Sequence, residues 1–155
     1  FFLKRINIYA LYYRKHAYLC HELAHMEVQT DVFADEINIF DIDDPTGKQM
    51  KYTRFFGRIA KTSDSQLTYT GLLVYIAKAV FDIAPTDFIK KLSDELNAVM
   101  DLTTTRRPRY ISDNYSIETN LSAKEIFKRI RTILSCFGLE DELYICFQEE
   151  DYSVE

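Results

Sequence analysis

The sequence predicts a mixed α+β fold in which helices cover one side of an antiparallel sheet. Three observations predict it: a helix signalled at both ends between Leu121 and Gly138, alternating apolar residues at Leu143, Ile145 and Phe147, and a hairpin pattern around Asp113-Asn114. The 155 residues suit about one domain, and with only four Gly and three Pro most of the chain should be regular structure joined by polar turns.

Taken in order, Leu3, Ile6, Ala10, Tyr13, Ala17, Cys20 and Ala24 recur at steps of three and four, which lays one apolar stripe along an N-terminal helix. The stretch Ile6 to Tyr13 also suits a strand, so the helix is best specified over 14–29. Residues 36–41 read as a short strand. Residues 51–61 and 66–82, both rich in aromatic and β-branched side chains, flank Thr62-Ser63-Asp64-Ser65 and read as the strands of a hairpin. A helix through Leu72, Ile76, Ala79 and Ile83 competes with the second strand. Pro85-Thr86-Asp87 opens a helix with Phe88, Leu92, Leu96 and Val99 on its apolar face. Arg109 to Ser112 and Tyr115 to Thr119 flank Asp113-Asn114, residues suited to left-handed turn torsions. Ser122 with Glu125 forms a capping box, Leu121 and Ile126 a staple, and Gly138 the left-handed stop.

From about residue 72 the order is strand, helix, strand, strand, helix, strand, the ferredoxin-like split β-α-β arrangement. The expected division is therefore a region 1–66, holding the N-terminal helix and the hairpin, packed on a ferredoxin-like domain 67–155.

Composition narrows the function. The net charge is -5, and residues from 68 onward carry all of it, which disfavours nucleic acid because that partner needs a positive field. Arg106, Arg107 and Arg109 are the only basic cluster, with Lys90 and Lys91 as neighbours to consider. Cys20, Cys136 and Cys146 fit no disulfide or metal-knuckle spacing and read as reduced thiols of a cytoplasmic protein. No apolar run approaches the roughly 20 residues of a membrane span. No secretory leader is visible, and the chain starts at Phe1 without a Met, which leaves the true N-terminus open.

Val80-Phe81-Asp82-Ile83, the hairpin Ser112-Asp113-Asn114-Tyr115-Ser116-Ile117-Glu118-Thr119, Leu121-Ser122-Ala123-Lys124-Glu125-Ile126 and Asp141-Glu142-Leu143-Tyr144-Ile145 together resemble one family. They are similar to the small ferredoxin-fold CRISPR-associated nucleases of spacer acquisition and their SinR-like relatives, over about the last half of the chain. The resemblance implies a metal-holding aspartate at the end of the first strand, here Asp82, commonly at a dimer interface. Two copies of Asp82 would then supply the carboxylates that Mg²⁺ requires beside the phosphate. It also implies a non-nucleolytic option, since some members act as structural or regulatory pieces.

A separate pentad, His21-Glu22-Leu23-Ala24-His25, has zincin spacing. Two His four apart share one helix face and can reach one Zn²⁺, while Glu22 polarises the bound water. Asp31 stands where some zincins place an acidic third ligand, with Asp35 and Glu36 as further candidates. Glu27 and Val28 depart from the zincin pattern, and the same residues also suit a solvated helix face. The function expected from all of this is a non-catalytic interaction or regulatory module of the immunity, antitoxin or CRISPR-associated kind. Eleven Tyr and eleven Phe exceed what one core absorbs, which suggests a protein partner or a homodimer. No cofactor is firmly expected. The two enzymatic alternatives are a Mg²⁺-dependent nuclease using Asp82 and a zinc hydrolase using His21, Glu22 and His25.

Overall fold

A computed structural model of the chain describes residues 35–61, 67–95 and 107–149. Six strands and three helices occur among them: β1 (Ile37–Asn38), β2 (Met50–Phe55), β3 (Arg58–Lys61), α1 (Tyr69–Ile83), α2 (Pro85–Glu95), β4 (Pro108–Tyr110), β5 (Ser116–Glu118), α3 (Ala123–Cys136) and β6 (Leu143–Phe147). The class is α+β. A four-stranded antiparallel sheet runs in the order β1-β6-β2-β3, and β4 and β5 form a separate two-stranded ribbon.

This corrects the ferredoxin-like expectation. The segment 72–83 is a helix, not a strand, and the strands near 109 and 143 lie in different sheets. The helix wins for physical reasons. Leu72, Leu73, Ile76, Ala77, Val80 and Ile83 are all buried and recur at helical steps, which an alternating strand could not bury together. The Thr68 side chain accepts from the Gly71 N–H at 2.9 Å, so the first turn is also capped. At 15 residues the element is far longer than an ordinary strand.

The expected hairpin is displaced as well. Strands β2 and β3 turn at Phe56-Gly57 rather than at residues 62–65, with Phe55 opposite Arg58. Both turn residues have positive φ, 50° at Phe56 and 74° at Gly57, the torsions that match a two-residue turn to the twist of its strands. The Phe56 ring meets Phe55 edge-on at 4.6 Å, a contact that offsets part of its unfavourable torsion. A Cβ at Gly57 would meet the left-handed penalty without such a contact, so Gly57→Ala is expected to lower stability by about 1–2 kcal/mol in urea unfolding.

Helix α3 follows its sequence signals. Ser122 Oγ accepts from the Glu125 N–H at 3.2 Å. At the other end Gly138 has φ 67°, and the Leu139 and Gly138 amides donate to the Leu134 and Ser135 carbonyls, a Schellman stop. The β4–β5 ribbon forms where expected, but neither Asp113 nor Asn114 takes a left-handed torsion. The Ile111 and Ser112 amides both donate to the Tyr115 carbonyl instead, which closes a wider loop.

One buried cluster joins Ile39, Ile42, Met50 and Phe55 to Leu72, Ile76, Ile126, Ile130, Ile133 and Leu143, so a single core draws on both sides of residue 66. Burial of each such side chain stabilises by about 2 kcal/mol relative to exposure. Along the sheet, Thr53, Phe55, Leu143 and Ile145 are buried on one face. The register puts Tyr52, Arg54, Tyr144 and Cys146 on the other. No helix among the described residues is long and apolar enough to cross a membrane.

Candidate functional site

The second face of the sheet carries a buried polar network. Glu36 Oε1 accepts from Arg54 Nη2 at 2.7 Å and from the Tyr52 hydroxyl at 2.8 Å. The Glu36 side chain is fully buried and that of Arg54 is 7% exposed. Glu36 leads into β1 while Arg54 and Tyr52 belong to β2, so the pair spans the intervening strand β6 and ties the edge strand to the sheet. Burial, then the hydrogen bond to Glu36 and its charge, hold the Tyr52 hydroxyl well above the ordinary phenol pKa of 10.

A raised folded-state pKa favours the neutral phenol. Its contribution is therefore complete below pH 10 and is lost as the pH climbs toward the folded-state value. Denaturant titrations on either side of pH 10 should show stability falling on the alkaline side, and Tyr52→Phe should make that fall shallower. Tyr69, also raised by burial and by the Asp44 charge, accounts for part of the remaining slope.

Beside this network lies a groove of about 530 Å³, lined by Glu36, Ile37, Asn38, Phe40, Asp41, Glu140, Asp141 and Tyr144. Its walls come from segments far apart in sequence. Because β1 and β6 are antiparallel, the residues that leave β1 sit beside those that enter β6, and two acidic segments meet there. Asn38 clamps the walls together. Its Oδ1 accepts from the Phe40 N–H at 2.8 Å, capping the 3-10 turn Ile39–Asp41, and its Nδ2 donates to the Glu140 carbonyl at 2.8 Å. From behind, Arg131 on α3 donates to the Ile42 carbonyl at 2.6 Å. Ile37, at 39% exposed, and the half-buried Phe40 and Tyr144 add apolar surface between carboxylates.

No family model, curated protein or solved structure matches the chain.

The groove is thus described by its own geometry, and only Glu36 among its residues was a candidate in the sequence. Glu36 is engaged by Arg54 and Tyr52 rather than by other metal ligands. Asp82, expected at the end of a strand, is exposed in the last turn of α1. The strand end that would present it as a metal ligand is therefore not formed. His21, Glu22, His25 and Asp31 lie outside the described residues. Among the described residues no group of three or more His, Cys, Asp or Glu is placed to hold a metal ion.

Of the expected basic cluster, Arg107 just before β4, Arg109 within it and Lys90 on α2 are exposed, and Arg106 lies outside the described residues. Lys91 instead donates to the Cys136 carbonyl at 3.0 Å and lies over the Phe137 ring, where it satisfies the C-terminal end of α3. Among the described residues, the half-buried Cys136 and the buried Cys146 form no disulfide.

Proposed function

We propose that the protein is a non-catalytic interaction module that docks a cationic segment of a protein partner in the groove beside β1. The observation that carries this reading is the lining itself: Asp41, Glu140 and Asp141 supply carboxylates, while the Glu36 carboxylate is buried against Arg54. Three acidic residues around one concave, partly apolar surface focus a negative field, which attracts Lys or Arg side chains and raises the rate of encounter. Ile37, Phe40 and Tyr144 offer contact for the aliphatic stems of such residues or for an aromatic ring between them.

Fluorescence anisotropy with a Lys/Arg-rich peptide and a Glu-rich peptide of equal length tests the proposal. Binding of the basic peptide alone, weakened by salt and by Asp41→Lys with Glu140→Lys, is expected. Equal affinity for both peptides, or no change in the variant, defeats the reading. Elemental analysis addresses the competing zinc hydrolase: about one equivalent of zinc, lost in His21→Ala, would put that enzyme in place of the module.

A further inference from the structure

We infer that the second face of the sheet is the docking surface of the chain's own N-terminal segment, residues 1–34, seated there by its apolar stripe. This surface is distinct from the groove's docking role and does not depend on it. The face is closed although the three described helices pack on the other one. All three helices and the β4–β5 ribbon share a single core with Phe55, Leu143 and Ile145, and the Tyr75 ring of α1 meets that of Phe55 at 6.2 Å. On the second face Cys146 is 5% exposed, and it is the one buried apolar side chain among the described residues that stands outside that core. Arg54 and Glu36 are buried on the same face, and Tyr52 and Tyr144 are half-buried. An antiparallel sheet packed on one side only would leave these side chains to water. Their burial arises within one chain, so this chain supplies the cover.

The closure is uneven, and its pattern names the segment. Ile59 of β3 lies opposite Arg54 in the register and so on the same face, yet it is 48% exposed, whereas Arg54 of β2 and Cys146 of β6 are buried. The cover therefore lies toward β1, where residue 34 leads through Asp35 to Glu36, and away from β3, which residues 62–66 follow. Residues 96–106 connect α2 to the ribbon, both of which belong to the helical side. Residues 150–155 are six in number and three of them are acidic, a poor match for a buried thiol. The N-terminal segment has the length and the chemistry. Its stripe is small at Ala17, Cys20 and Ala24, which suits close approach to the bulky Tyr52, Arg54 and Tyr144. The helix that the sequence predicts over 14–29 would be about 24 Å long, against about 20 Å for the six residues of β2.

Thiol protection in the full chain is the test. Labelling with N-ethylmaleimide, read peptide by peptide in a mass spectrometer, should be slow at Cys146 in the wild type. Ala17→Glu with Ala24→Glu sets charges on the stripe and should raise the Cys146 rate by about tenfold or more. The rate at Cys136, which packs against the helical core, should stay as it was. An unchanged Cys146 rate in that variant overturns the inference. Should both rates rise because the variant unfolds, a second measurement without the stripe substitutions decides. A protease site placed between Thr30 and Asp35 lets the segment be cut after the chain has folded. Cys146 should then be slow for as long as the two pieces co-elute in size exclusion and fast once they part. A Cys146 rate indifferent to whether the segment is bound overturns the inference as surely.

Discussion

Replacing Arg54 with Met is expected to cost about 3–5 kcal/mol of folding stability, measured by urea unfolding at neutral pH. The reason is asymmetric. Glu36 has a fully buried side chain, and without the guanidinium at 2.7 Å its carboxylate keeps only the Tyr52 hydroxyl as a donor among the described residues. A charge left in that position must either stay ionised at high cost or take up a proton. Removing both partners is a different experiment. Glu36→Leu combined with Arg54→Met deletes the charge pair together, and the double variant should recover most of what the single one loses, since an apolar replacement of a buried pair is often close to neutral. Additive losses would mean that the two residues act separately. The loss also has a location. The edge strand β1 has only two residues in the ladder, so the Glu36 contact and the Asn38 clamp are a large share of what holds it to β6. Hydrogen exchange should therefore rise first around β1 and the groove wall in the Arg54 variant.

The elements that were legible in the sequence are those whose signals are local. Helix α3 carries its start in Ser122 and its stop in Gly138, each acting within one turn of the helix, and both act as the sequence implied. Helix α2 shows the same kind of legibility in Pro85 and in the buried pair Phe88 and Leu92. Helix α1 was misread because Tyr, Val and Ile raise strand propensity, which is a weaker guide than the spacing of what is buried. The pairs Leu72 with Leu73 and Ile76 with Ala77 already mark two adjacent rows of one helix face. The turn at Phe56-Gly57 was missed because an aromatic residue at positive φ is uncommon, and the lone Gly57 was the only signal for it.

The groove was less legible still. Asn38 and Glu140 meet across 102 residues of sequence, and nothing local in either segment reports that β1 and β6 pair. Two short acidic segments, one after a predicted strand and one before another, were the available signal. Antiparallel pairing of those strands would have brought the acids together. The Arg54–Glu36 contact is equally hidden, since an alternating strand predicts which face a residue takes but not that a charged residue there finds its partner across a neighbouring strand.

Phe88→Ala should lower stability by a further class of effect, about 3–5 kcal/mol, through the cavity it leaves. Phe88 is fully buried and is the point where three helices converge. Its ring lies edge-on to Phe81 of α1 at 5.6 Å and stacks on Phe137, just beyond α3, at 6.2 Å. Only Ala84 separates α1 from α2, and the Phe88 N–H donates to its carbonyl at 2.8 Å, so the second helix starts in a direction set by this joint. Phe88→Leu separates the two contributions: it keeps most of the apolar volume but loses both ring contacts, and should cost about 1–3 kcal/mol. A cost for Phe88→Ala no greater than that for Phe88→Leu would mean that the site collapses around the smaller side chain and that ring geometry, not volume, holds α2 in place. Equal slopes against urea for both variants and the wild type would show that α2 unfolds with the core, because a helix that detached on its own would reduce the surface exposed in the main transition.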